Sequence, residues 1–184
     1  AMRELLTARL LDLHARASGE DWPWFEDHVT YCNARLPQAL IVSGTAMARE
    51  DMVAVGTRAL DWLGSLQHTP DGYFAPVGSN GFYRRGTVPA RFDQQPVEAC
   101  GMVSACLDAH RITGDARWSG YASSAFRWFL GQNHLQQAVY DVSTGGCRDG
   151  LHADRVNENQ GAESTISFLL ALWDMRSAER ADLT

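Results

Sequence analysis

The chain has 184 residues, of which 45% are hydrophobic and 21% charged, as is typical of a single soluble globular domain. Its net charge is −6 and all 16 basic residues are Arg, so it lacks the lysine-rich basic stripe that favours nucleic-acid binding. No uncharged apolar run reaches about 18 residues, and the opening residues do not resemble a signal peptide. We therefore expect neither a nucleic-acid partner nor a membrane partner.

The cysteines and histidines indicate neither a disulfide nor a metal site. Cys32, Cys100, Cys106 and Cys147 form no CxxC pair, which predicts free thiols in a reducing, cytoplasmic environment. The six His residues lack the spacing of metal ligands. Glycine-rich phosphate loops, dinucleotide fingerprints and the GxSxG motif are also missing, so we expect no cofactor.

Apolar residues recur at spacings of three and four along most of the chain, which predicts an all-α fold in one domain over residues 1–184. The long loops 69–93 and 133–159 are rich in glycine, and we expect small β-hairpins in them. Loops of this length in a helical domain usually carry function. The predicted helices span residues 3–17, 33–47, 50–67, 96–111, 115–132 and 161–178.

The sequence repeats itself. Residues 59–63 (ALDWL) match residues 125–129 (AFRWF) at an offset of 66, and residues 95–99 (QPVEA) match residues 160–164 (QGAES) at an offset of 65. A period of about 60–66 residues indicates a unit made of one helical hairpin and a long loop. Helices rich in Ala, Ser, Gly and Leu alternate with helices that carry charges and Trp on separate faces, which predicts three inner and three outer helices.

Successive inner helices should run parallel, which brings their N-terminal ends and the preceding loops together. Carboxylates, amides and Arg at that end would suit glycoside chemistry, in which one acid protonates the leaving oxygen and another activates water or attacks. The alternative is that the acids only cap helix N-termini, a natural role for Glu98 and Glu163. The polar residues that converge there are Glu26, Asp27, His28, Asn33, Arg91, Asp93, Gln94, Gln95, Glu98, His152, Asp154, Arg155, Glu158, Asn159, Gln160 and Glu163.

The segment WPWFED (22–27) is the densest aromatic stretch. Its Trp22 and Trp24 could stack on a sugar ring beside an acid, or they could anchor the first loop against the core. The residues leave both alternatives open.

Several segments resemble a known group of proteins. WPWFED (22–27), YCNARLP (31–37), FDQQPVEA (92–99) and ENQGAEST (158–165) are similar to a helical domain of bacterial proteins associated with glycosyltransferases. The alternation of helices also resembles the six-hairpin (α/α) toroids of carbohydrate-active proteins. The resemblance implies a carbohydrate substrate. A full toroid needs six hairpins and this chain has three, so we expect a half or partial toroid: a half completed by a second copy, a fragment of a longer protein, or a small open helical array. The exposed inner edges of a half toroid would favour a homodimer.

The sequence thus predicts a carbohydrate-active domain, glycosidase-like if it is an enzyme. The alternatives are a non-catalytic accessory, sugar-binding or oligomerisation domain of a glycosyltransferase, and a purely structural helical scaffold. The expected acid/base carboxylates are Glu26, Asp27, Asp93 and Glu158. The expected substrate-binding residues are Trp22, Trp24, Asn33, Arg91, Gln95, Glu98, His152, Asn159, Gln160 and Glu163.

Overall fold

The computed structural model describes residues 2–181 and confirms a mainly helical fold with two small antiparallel sheets. Six helices lie close to the predicted positions. They are α1 (Met2–Ala17), α2 (Arg35–Ala46), α3 (Glu50–Leu66), α4 (Pro96–Thr113), α5 (Arg117–Phe129) and α6 (Ala162–Ala181). The strands are β1 (His28–Val29), β2 (Tyr83–Arg84), β3 (Gly150–Leu151) and β4 (Val156–Asn157).

Local backbone chemistry explains where the helix ends differ from the prediction. Helix α2 begins at Arg35, two residues later than predicted, after a turn in which Cys32 has a φ of 55°. Gly114 ends α4 in the left-handed conformation, and the Asp115 side chain then accepts a hydrogen bond from the N–H of Arg117 at the start of α5. The last helix continues to Ala181, three residues beyond its predicted end.

Helices α2, α4 and α6 form the inner layer, with α4 between the other two. They run parallel: Gly101 of α4 lies beside Ala34, just before α2, and further along Gln38 of α2 bonds to Asp108 of α4. Helices α3 and α5 pack antiparallel against α2 and α4. The N-terminal ends of the inner helices therefore lie on one side of the domain.

Glycine sets the close approach of α2 and α3. A Cβ on Gly56 would lie 2.9 Å from the carbonyl oxygen of Pro37 and 2.7 Å from a side-chain carbon of Ile41. A Cβ on Gly44 would lie 2.9 Å from the Cβ of Met52. The two helices can touch along their backbones only because these positions lack side chains.

The two sheets tie the loops over the N-terminal ends of the inner helices. Strand β1, before α2, pairs antiparallel with β2 in the first long loop, and β3 pairs with β4 in the second. An isolated bridge between Gln94 and Leu151 joins the two long loops directly. The first sheet and the bridge between Gln94 and Leu151 therefore link successive repeat units.

Inner helices α4 and α6 differ in how much of their surface is covered. Helix α4 contacts α2, α3, α5 and α6, and ten of its residues are buried. Helix α6 packs mainly on α4 and α5, and the opposite face exposes four large apolar side chains. We call this the α6 apolar face: Ile166, Leu169, Leu170 and Trp173.

All four cysteines are free, as predicted; three are buried and Cys32 is half-buried. No helix within residues 2–181 combines the length and the apolar character needed to cross a membrane.

Candidate functional site

The turn before α2 is held by a buried carboxylate from the neighbouring inner helix. Glu98, only 4% exposed, accepts hydrogen bonds from the backbone N–H groups of Cys32 and Asn33, the latter at 3.3 Å. It also accepts one from the Asn33 side-chain amide at 2.9 Å. Burial raises the pKa of Glu98, and the hydrogen bonds from Asn33 and Cys32 oppose that rise. Glu98 therefore fixes α2 against α4 rather than capping its own helix.

The equivalent glutamate of α6 reaches the same turn but stays exposed. The Tyr31 hydroxyl donates a hydrogen bond to Glu163 Oε1 at 2.7 Å. Burial, followed by the bond to Glu163, raises the pKa of Tyr31. Both glutamates of the repeated phrase thus meet at residues 31–33, one in the interior and one at the surface.

The N-terminus of α6 is capped from a distant loop position. Asp149 Oδ1 accepts bonds from the Gly161 N–H at 2.7 Å and from the Ser164 hydroxyl at 2.6 Å. The second oxygen of Asp149 accepts a bond from the Asn159 amide. Partial burial would raise the pKa of Asp149, but the bonds from Ser164, Asn159 and Gly161 outweigh it and leave the pKa lowered.

Asp93 and His152 form the one carboxylate–imidazole pair that joins the two long loops within the described residues. Asp93 precedes α4, and His152 follows β3, 59 positions later. His152 Nδ1 lies 2.5 Å from Asp93 Oδ1, and the side chains are 28% and 41% exposed. Because a carboxylate only accepts, Nδ1 carries the proton, and Nε2 of a neutral ring is left with a free lone pair.

The backbone around this pair is held from several directions. Gln94 and Leu151 exchange both backbone hydrogen bonds at 2.9 Å, and Gly150 makes this possible: a Cβ there would lie 2.1 Å from the Gln94 carbonyl oxygen. The carbonyl of His152 accepts a hydrogen bond from His134 Nε2 at 2.9 Å.

On the other side of the pair, the Ser79 N–H donates to the Asp93 carbonyl at 2.9 Å, and Gln95 Nε2 lies 3.5 Å from the Ser79 hydroxyl. The peptide bond between Phe92 and Asp93 is cis. The Ser79 hydroxyl and the Gln95 amide therefore lie beside the backbone of Asp93.

Glu26 and Asp27 lie elsewhere, in a hollow beside the C-terminal end of α1. Both are exposed, and the hollow, about 440 Å³ in volume, is also lined by Arg16, Phe25 and His28. Asp27 bonds to His28 Nδ1 at 2.7 Å, which lowers the pKa of Asp27. Asp93 does not line this hollow.

Glu158 is 77% exposed and pairs with Arg148 at 2.8 Å, and this bond raises the pKa of Arg148. Gln160 donates to Asp141 at 3.1 Å and accepts from the Thr144 hydroxyl at 2.8 Å. The four predicted catalytic carboxylates therefore do not share partners: Asp27, Asp93 and Glu158 each pair with a different basic side chain, and Glu26 projects into solvent at the edge of its hollow.

The aromatic segment packs into the core. Trp22 and Trp24 are 3% and 0% exposed, and their indole N–H groups donate to the carbonyls of Glu26 and His28. Trp22 packs edge-on against Trp62 and Tyr83. This corrects the expectation that these rings are available to stack on a sugar. Their faces are covered, and the segment anchors the first loop against the core.

Gln94 and Arg91, which lie close in sequence to Asp93 of the Asp93–His152 pair, have different environments. Gln94 is buried, accepting from the Trp128 indole N–H at 2.8 Å and donating to the Arg91 carbonyl at 3.0 Å. The Arg91 side chain is exposed beside a cleft that Phe92 and His134 also line. Gln94 therefore supports the loop, while Arg91 is open to solvent.

The structure thus groups Asn33, Asp93, Gln95, Glu98, His152 and Glu163 at the N-terminal ends of the inner helices. Sequence reasoning missed Tyr31, Ser79 and Asp149, although Tyr31 directly precedes a predicted inner helix and so carried a usable positional signal. Within residues 2–181, no three or more His, Cys, Asp or Glu side chains are arranged to hold a metal ion.

No model of a known protein family matches the chain, and a search of curated proteins found no match either.

Proposed function

We propose that the chain is a carbohydrate-active domain whose site lies at the N-terminal ends of α2, α4 and α6, with Asp93 and His152 as its acid/base centre. The observation that carries the proposal is the partly exposed Asp93–His152 pair, which is contributed by two different loops. The resemblance of the surrounding segments to glycosyltransferase-associated proteins and to (α/α) toroids favours a sugar as the ligand.

The pair has the chemistry of a general base. Asp93 holds the Nδ1–H tautomer and stabilises the imidazolium, so Nε2 can take a proton from a sugar hydroxyl or a water molecule. Glu163 supplies a second carboxylate at the same end of the layer, and Tyr31, Gln95 and Ser79 offer hydroxyl and amide groups to sugar hydroxyls.

Replacement of Asp93 tests the proposal. Asp93→Asn should lower turnover of a reactive oligosaccharide by at least about a hundredfold, because the imidazole loses its charged partner. The screen is mass spectrometry of an oligosaccharide library incubated with the protein. Asp154→Asn is the matched control, since Asp154 is an exposed acid of the same loop region that pairs with Arg155. Equal turnover by wild type and Asp93→Asn would contradict the proposal.

A second candidate is an oligomerisation domain, and the α6 apolar face favours it. Three inner/outer helix pairs are half of a six-hairpin ring, and two copies would supply the full number. The other edge of the inner layer exposes the small side chains Ala39, Val42 and Ala46 of α2, against which bulky side chains of α6 from a second copy could pack. The occupant we propose for Ile166, Leu169 and Leu170 of this face is therefore a second copy of the chain.

Light scattering after size-exclusion chromatography tests this candidate. The wild type should have the mass of a dimer, and Leu170→Glu should give a monomer because it places a charge in the apolar contact. Val88→Glu is the control, since Val88 is 84% exposed in the first long loop and does not belong to the α6 apolar face. A monomeric wild type would exclude this candidate.

A further inference from the structure

A second cleft lies at the opposite end of the inner layer, between the C-terminal halves of α4 and α6. Its volume is about 410 Å³, within the range of small-molecule sites. Helix α4 contributes Ser104, Asp108 and Arg111, and helix α6 contributes Trp173, Asp174 and Ser177. These residues belong to the opposite ends of the two helices from Asp93 and Glu163, so the cleft is separate from the site proposed above.

The floor of the cleft is ordered by a polar network that crosses from α2 to α4. Arg35 donates to the Gln38 side-chain oxygen at 2.7 Å, and Gln38 Nε2 donates to Asp108 Oδ2 at 2.8 Å. Arg111 donates to the other Asp108 oxygen at 2.5 Å. The Asp108 carboxylate is 19% exposed and held on both sides, so its position is fixed before any ligand arrives.

The α6 side of the cleft offers an open aromatic ring and an unpaired acid. Trp173 is 66% exposed, although its ring is the largest side chain of the α6 apolar face. Asp174, half-buried beside it, has no ion pair or hydrogen bond to any residue between 2 and 181. An indole and a carboxylate side by side suit a partner that is apolar on one face and hydroxylated at its edge.

The charges of the cleft select among ligand classes. The carboxylates of Asp108 and Asp174 would repel a phosphate, and the Arg111 guanidinium, 71% exposed, would repel a cation. A purely apolar ligand would bury Asp174 and the two serine hydroxyls without hydrogen bonds. A neutral pyranose satisfies all of them: its apolar face covers the indole, and its hydroxyls donate to the carboxylates and accept from Arg111 and the serines.

We infer that this cleft is a carbohydrate subsite that binds a neutral pyranose on Trp173, with Asp174 and the Asp108–Arg111 pair bonding to its hydroxyls. The subsite binds sugar without chemistry and does not depend on Asp93 or His152. A longer glycan held here would be retained on the domain while another part of it reaches the other end of the inner layer.

Titration by NMR tests the inference, using methyl α-mannoside, methyl β-glucoside, methyl β-galactoside and cellobiose as probes. At least one should shift the indole N–H signal of Trp173, and Trp173→Ala should weaken its binding by about tenfold or more. Asp174→Asn should weaken binding as well. Both side chains are partly or largely exposed, and thermal unfolding checks that the variants remain folded.

Leu169→Ala is the matched control: Leu169 is 50% exposed on the same helix but does not line the cleft, so this variant should bind like the wild type. Asp93→Asn should also bind normally here, which separates this inference from the proposed catalysis. The inference is overturned if no probe binds in a Trp173-dependent way, if Leu169→Ala weakens binding as much as Trp173→Ala, or if tetramethylammonium binds Trp173 more tightly than every sugar.

Discussion

The N-terminal ends of α4 and α6 begin with the same sequence phrase but place their glutamates in opposite environments. Glu98 is buried and satisfies three donors of the turn before α2, whereas Glu163 is exposed and holds one phenol. Helix α4 lies between two inner helices, and α6 has an inner neighbour on one side only. The same residue type is therefore buried and structural where the layer is closed on both sides, and exposed to solvent where it is open.

Replacement of Glu98 should have the largest effect on stability. Glu98→Ala should lower the free energy of unfolding by about 3 kcal/mol, because two backbone N–H groups and the Asn33 amide lose their acceptor in the interior. Urea denaturation measures it, and Glu163→Ala serves as the comparison within the repeat. An equal loss in the free energy of unfolding of the two variants would contradict the proposed difference between the N-terminal ends of α4 and α6.

Replacement of Asp149 should have the next largest effect on stability. Asp149→Ala removes the acceptor for the Gly161 N–H and the Ser164 hydroxyl, so α6 should lose about 1–2 kcal/mol of stabilisation. Thermal unfolding of this variant and of Asp154→Ala, an exposed acid nearby, provides the measurement. If both variants unfold at the same temperature as the wild type, the hydrogen bonds from Asp149 to the start of α6 do not stabilise the fold.

The buried position of Glu98 also predicts that the stability of the fold depends on pH. Because burial raises its pKa, the folded state holds the Glu98 proton more tightly than the unfolded chain does. Stability from this group is therefore present at low pH and lost as pH rises through the raised pKa. As the pH rises above about 4.3, the ordinary pKa of a glutamate, wild type should lose stability relative to Glu98→Gln. A difference between the two proteins that stays constant with pH would show that Glu98 does not titrate in this range.

Glu163 should have the smallest effect on stability. Glu163→Gln should change the free energy of unfolding by less than about 1 kcal/mol, since the bond it makes is exposed. It should nevertheless lower the pKa of Tyr31, because the carboxylate contributes to the rise in that pKa. Spectroscopic titration of the Tyr31 phenol measures the shift, and an unchanged pKa would mean that burial alone sets it.

Sequence periodicity was sufficient to predict the six helices and their approximate bounds. It could not predict that Glu98 serves another helix, because that depends on a turn 66 positions away. The Asp93–His152 contact depends on the glycine at position 150, which lets one loop lie directly on the backbone of the other. The density of aromatic residues in 22–27 was equally compatible with a surface site and with a place in the core. Only the tertiary packing shows that Trp22 and Trp24 are buried.

The most direct test of the proposed site is an NMR titration of the isotope-labelled protein with the oligosaccharide that the library screen selects. The account predicts shift changes at Ser79, Asp93, His152 and Tyr31, with the His152 ring nitrogens among the most affected, and their loss in Asp93→Asn. Shifts confined to the hollow at Glu26 and Asp27, or no response around His152 while the sugar is turned over, would contradict it.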